Sequence, residues 1–345
     1  MKQLILIFVL FGLIIPVGAW NMTMPEVPDS AIDLMPLEET TFADGLLHVL
    51  TTSFAALQPD IASCIRTCAL LFACGVGLSV MNSFQGAGAK AVGLGSVVLC
   101  ATILFAPADM MIQSGTETIT ELNQYGKLLL PVMASALAAQ GGTGTSAALY
   151  AGTILFDSIL SAAISNVLTP MLFIFLVVSV LCAATGGDTL KKGKEWVLWV
   201  IQWSIKSLLY LFTGYLMVTG VVSGATDQVA LKATKITLSS MVPVVGGILS
   251  DASETILVSA GVIKNSVGVW GLLTVIAIAI SPFLKIGVQY LLLKATAALC
   301  AMFAGKSYTD LISDFATAMG ILLAMTGTVC LLILISTVCF MKGMG

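Results

Sequence analysis

Five charged side chains, Lys206, Lys285, Lys294, Asp109 and Asp157, stand inside long apolar stretches of this chain. A charge in such a setting is expensive in lipid, so it marks a pairing or path-lining role. For a lysine there is a second reading, a span end from which the stem carries the ammonium to the interface. Lys206, deep in a Trp-rich stretch, is the first candidate for a conduit position. Lys285 and Gln289 share a helix face at i, i+4, whereas Lys294 points nearly opposite. Enzyme chemistry has little to build on. There is no HExxH, no paired aspartates in facing spans and no nucleophile with a base, and the lone His48 has only Asp44 at i−4. The eight cysteines (64, 68, 74, 100, 182, 300, 330, 339) nearly all lie in apolar runs without a CxxC pair, and buried inert thiols are expected rather than a metal site. GAGAK (86 to 90) lacks the spacing of a phosphate loop, and with GGTGT (141 to 145) it fits close helix packing by small residues. The expectation is a protein that is not an enzyme and has no catalytic residues, cofactor or metal.

The elements around these residues must be membrane helices. Hydrophobic residues make up 58% of the chain and charged ones 10%, and the mean hydropathy is +1.04. A soluble domain is roughly 45–50% apolar, so the fold class is an all-α polytopic membrane protein. The net charge of −3 and the absence of a basic patch leave nucleic-acid binding unsupported. Residues 1–19 read as a signal peptide, with Lys2, the apolar core Leu4 to Ile15 and Val17-Gly18-Ala19 before Trp20; an uncleaved anchor is the alternative. From Trp20 to Asp60 there are seven acids and no Lys or Arg, which predicts an exported segment over 20–62.

Spans are expected near Cys64–Met81, Ala91–Ile112, Asn166–Ala184, Trp196–Val222, Val267–Pro282, Gly287–Ala304 and Phe315–Met341, six to eight in all, with re-entrant or interfacial amphipathic helices between them. Lys191, Lys192 and Lys194 place their loop in the cytoplasm, Lys90 agrees, and the acidic stretch Glu117 to Glu121 then faces out. Trp196, Trp199 and Trp203 read as interfacial anchors.

An internal duplication gives these spans an order. Pro131 and Pro170 are 39 residues apart, as are Pro243 and Pro282, with a displacement of 112. LLLPVMASAL (128 to 137) matches SSMVPVVGGIL (239 to 249), and NVLTPMLF (166 to 173) matches IAISPFLK (278 to 285). The organisation that follows is two spans over 63–126, a first membrane repeat over 127–224 and a second over 225–345. Repeats of this kind commonly face each other around a translocation path.

Within the second repeat, Asp251-Ala-Ser-Glu254 has the form of a capping box and predicts a helix start, with Lys264 near the favourable end of its dipole. Pro243 with Gly246-Gly247 interrupts the apolar run before it, as an interfacial connector or as a re-entrant element.

KITLSSMVPVVGGILSDASETILVSAGVIKNSVGVWGLL (235 to 273), followed by SPFLK, resembles the stage III sporulation protein AE family of endospore-forming bacteria. The likeness rests on Pro243 and Gly246, on Asp251 through Thr255, and on Lys264, Asn265 and the run to Gly268. It implies a permease-like integral membrane component of the mother-cell to forespore channel. Its implied partners are the other proteins of the same operon (an ATPase, ring-forming and small membrane components) and a forespore membrane partner. The implied location is the mother-cell-derived outer forespore membrane. The alternative from the residues alone is an autonomous secondary transporter with Lys206 or Asp157 in its path.

Overall fold

The computed structural model describes residues 25–36, 41–83, 89–139, 143–218 and 266–343, and every regular element among them is helical. In chain order these are α1 (Asp29–Ile32), α2 (Phe42–Ala56), α3 (Gln58–Ser83), α4 (Ala89–Ala139), α5 (Thr143–Ala163), α6 (Thr169–Thr185), α7 (Asp188–Val218), α8 (Ser266–Cys300) and α9 (Lys306–Gly343). Six stretches among the described residues are long and apolar enough to cross a membrane: Gln58–Met81, Val92–Ser135, Leu149–Thr185, Asp188–Met217, Gly268–Cys300 and Lys306–Met341. The chain is a multi-pass membrane protein, as its composition predicts.

The helix at the centre is α9. Of its most apolar stretch 89% is buried, against 22% for α3 and for α7. Leu322, Met325, Val329 and Ile333 are sealed, and four hydroxyls in the same core donate back one turn: Thr326 to the Leu322 carbonyl, Thr328 to Ala324, Ser336 to Leu332 and Thr337 to Ile333 (2.6 to 2.8 Å). Each polar atom is thereby satisfied within its own helix, which is what a dry interior demands.

Around α9 the packing directions alternate. α8 runs antiparallel to it, with Gly287 against Leu323 and Gly320 against Tyr290, and α4 runs parallel, with Phe105 edge-on to Phe315 at 5.6 Å and Gly115 under Leu322. α5 packs antiparallel on α7 through Phe156, Phe212 and Tyr215. α3 lies along the second half of α8, and the Tyr308 hydroxyl at the start of α9 donates to the Leu71 carbonyl at 2.7 Å. α1 and α2 rest on the first half of α8, where Thr274 meets Met35.

Local sequence explains the joints. Gly186 ends α6 with φ 67°, a left-handed conformation that costs glycine little, and its N–H returns to the Cys182 carbonyl at 2.8 Å. Between α5 and α6 the chain widens into a π turn, Ile164–Leu168, immediately before Pro170. Proline lacks an N–H and crowds the preceding turn, and the wider turn absorbs both defects without ending the helix.

Several sequence boundaries shift. Val267–Pro282 and Gly287–Ala304 are one helix, α8, which runs through Pro282. Membrane helices tolerate proline when neighbouring helices cover the freed carbonyl. The ambiguous stretch Leu128–Ser165 is helical over its described residues, as the end of α4, all of α5 and the start of the π turn. The boundary set at 126/127 falls inside α4, whose 51 residues continue through Pro107 and Pro131. The segment 20–62 includes the first turn of α3. Pro243, Gly246, Asp251, Glu254, Lys264 and Asn265 lie outside the described residues.

One packing contact offers a direct test. A Cβ on Gly152 of α5 would overlap the Tyr215 ring of α7, whereas a Cβ on Gly214 meets nothing within 4 Å. Gly152→Ala is expected to lower stability by about 1–3 kcal/mol through overpacking, with Gly214→Ala near neutral, as read from thermal unfolding of the purified protein in detergent.

Candidate functional site

The chemistry-bearing side chains gather along the seams between helices. On α7, Lys194 pairs with Asp314 of α9, Nζ to Oδ2 2.7 Å, and both side chains are largely buried (19% and 16% exposed). Ser179 of α6 is buried beside the same carboxylate. Its hydroxyl faces Asp314 without completing a well-aligned hydrogen bond. On the other side of α9, Lys294 of α8 donates to Ser313 (3.0 Å) and Thr317 (3.4 Å). A polar layer thus crosses α7, α9 and α8 near the end of the bundle that holds the turns 186–187 and 301–305. Pairing explains how these charges are tolerated, because each one faces an opposite charge or a hydroxyl on a neighbouring helix rather than lipid.

Lys285 also finds an acid: its Nζ stands 3.1 Å from Asp60 Oδ2 on α3, with both side chains about one-third exposed. Gln289, on the same face, is buried. Lys206 is half-buried on α7, and no described carboxylate lies within ion-pair distance of it. Asp109 accepts from Gln113 within its own helix at 2.9 Å. Asp157 is the most enclosed charge, 1% exposed, on the α4–α5 seam opposite Gly126. Among the described residues its Oδ1 has no hydrogen-bond partner, nor do Asn123 Oδ1 on α4 and Thr153 Oγ1 one turn away on α5. The prolines take structural places: Pro131 in α4, Pro170 beside the π turn and Pro282 in α8.

The eight cysteines, all among the described residues, form no disulfide, and no group of three or more His, Cys, Asp or Glu among the described residues is arranged to hold a metal ion. A cavity of about 380 Å³ opens where the ends of α3, α4, α6 and α9 meet, lined by Leu78, Ser96, Ala184 and Tyr308 among others.

Sequence reasoning missed Lys194 and Asp314 for a definable reason. It began the last span at Phe315 and left Lys194 in a loop, so neither was counted as intramembrane. The available signal was the unbroken helical pattern from Lys306 and from Asp188, the latter with an acid in its first turn.

Removing one partner of a buried pair strands the other charge. Asp314→Ala is expected to cost about 3–5 kcal/mol, and Asp60→Ala, at the more exposed pair, about 0–1 kcal/mol. A double-mutant cycle on Lys194/Asp314 in detergent unfolding should give a larger coupling than the cycle on Asp60/Lys285.

Comparison with known proteins extends this picture. The family model described as Stage III sporulation protein AE matches residues 38–343. Stage III sporulation protein AE of Bacillus subtilis (strain 168) is 26% identical over 209 residues, 60% of this chain and 52% of that protein, so the aligned region spans about half the length of this curated relative. No solved structure matches the chain. The family match takes in α2 to α9 together with the stretch carrying Pro243, Asp251 and Lys264, and the chain belongs to the stage III sporulation protein AE family.

Proposed function

We propose that this protein is the permease-like integral membrane component of the mother-cell to forespore channel required for endospore development. The observation that carries the proposal is the family match over residues 38–343, which supports a role in sporulation. The bundle adds a polarity that suits such a position. Lys191, Lys192 and Lys194 gather at one end, while acidic α1 and α2 pack at the other, where Ser30 donates to Glu121 at 2.6 Å. With the lysines in the cytoplasm, the N-terminal helices face the space between the two membranes. There they are placed to meet ring-forming partners and a forespore membrane protein, and the cytoplasmic end is placed to meet an ATPase. The membrane is then the mother-cell-derived outer forespore membrane.

The packing favours a scaffold over a tube. α9 fills the axis with leucine, isoleucine and methionine, so a conduit belongs between this protein and its partners rather than within one chain. An internal duplication accords with the layout. The α5–α6 rod, with Pro170, and α8, with Pro282, each run toward the lysine-bearing end, turn at 186–187 or 301–305, and return as α7 or α9.

The unpartnered oxygens of Asp157, Asn123 and Thr153 favour a second reading, a secondary transporter with an ion at Asp157. A deletion strain separates the two. The proposal expects normal vegetative growth and arrest of sporulation after engulfment, restored by the intact gene and by Asp157→Asn. A vegetative uptake defect, or loss of complementation with Asp157→Asn at normal protein level, would support the transporter instead.

A further inference from the structure

The exposed surface of this bundle changes character at different heights on its two flanks. Heights can be matched through cross-helix contacts. Near one end, Tyr308 meets Leu71 and Lys194 meets Asp314. Farther up, Asp60 meets Lys285, and above that Gly126 lies against Asp157 while Phe156 meets Phe212. Gln124 of α4 and Leu211 of α7 therefore stand at about the same level, and so do Leu70 of α3 and Lys192 of α7.

On the α3–α4 flank the exposed apolar surface runs from Met81 and Val80 upward through Leu70 to Ile65, where exposed Arg66, six residues below Asp60, lies close enough to the upper edge for its stem to carry the guanidinium there. The apolar surface ends at Asp60 on α3 and, on α4, where Met110 gives way to exposed Gln113, Glu117 and Thr120. On the α5–α7 flank the lower positions Lys191, Lys192 and Glu195 are exposed and charged. Apolar surface begins only at Trp196, continues through the stacked Trp199 and Trp203, and reaches Leu211, Leu155 and Met217. At 1.5 Å per residue, Asp60 to Met81 and Trp196 to Met217 each span about 31 Å, close to the roughly 30 Å of a hydrocarbon core. The two bands are equal in height but offset along the bundle by about 27 Å, counting residues from the Lys194–Asp314 and Tyr308–Leu71 contacts.

We infer that the bilayer meets this bundle obliquely. Lipid covers α3 and the first half of α4 toward the lysine-bearing end, and it covers α5 and the second half of α7 toward the opposite end. Charge and aromatic positions agree with this placement. Exposed lysines lie just below the three tryptophans on α7, and the Asp60–Lys285 pair marks the edge on α3 and α8. Transmembrane helices are tilted by up to 40° in known structures, which accommodates helices of 35 to 51 residues in a membrane that needs about 20. Two corners remain in water: the face of α4 from Gln113 to Lys127 with α1 beside it, and the start of α7 with Lys306. Soluble partners on the two sides of the membrane would then meet diagonally opposed surfaces. The placement does not depend on the sporulation role.

The test uses the full chain in liposomes with single cysteines introduced at the matched positions, and the unsubstituted chain sets the background of native thiols. Q124C and K192C are expected to react with a membrane-impermeant maleimide several-fold faster than L211C and L70C. Spin labels at Leu211 and Leu70 should collide with oxygen more than with a water-soluble nickel chelate, and those at Gln124 and Lys192 the reverse. Equal behaviour within each matched pair would overturn the oblique placement. So would a label at Leu211 that neither quencher reaches, since that marks a protein-covered surface.

Discussion

The constraint on which this structure depends is the burial of a single helix. Every other long helix touches α9, and α9 gives up almost all of its own surface to them. A helix so enclosed must be apolar for the same reason as one in lipid, because neither surrounding offers water to a polar group. Its threonines and serines are admissible only because they bond back to their own carbonyls. Asp314 is admissible only because Lys194 reaches it. Substitutions that disturb α9 therefore act on all of its neighbours at once, whereas α3 and α7 bury only 22% of their most apolar stretches and have room to vary.

Apolar composition showed the class of fold in the sequence, and it was less informative about where lipid ends and protein begins. The first half of α8 is as greasy as a lipid-facing span, yet 56% of its most apolar stretch is buried in protein. Hydropathy cannot distinguish these two apolar surroundings. Pro282 suggested a break between two spans, because proline removes one backbone hydrogen bond. Here the surrounding helices sustain α8 through it, and at Pro170 the chain inserts a π turn instead. The lysines were legible as costly charges, but their partners were not. Asp60 lies 225 positions from Lys285 and Asp314 lies 120 from Lys194, distances that only tertiary packing spans. The family was legible from 235 to 273, a stretch lying almost wholly outside the described residues.

For a multi-pass membrane protein of a sporulation family, a filled interior shifts attention to surfaces. The polar layer formed by Lys194, Asp314, Lys294, Ser313 and Thr317 ties three helices together and uses its hydrogen bonds internally, which makes it a structural device. Asp157 is the exception, since its charge is enclosed without an equivalent partner. Among the described residues, the N-terminal helices, the polar face of α4 and the lysine-bearing end are where polar and charged side chains are exposed.

The described helices of one chain form a packed bundle and not a pore. The most direct measurement is reactivity of cysteines placed singly from Ile321 to Ile333 of α9 in native membranes, using a small water-soluble thiosulfonate. A packed bundle predicts uniformly slow reaction along the whole stretch. A stripe of fast-reacting positions recurring every three to four residues would show a water-filled path along α9 and contradict the account.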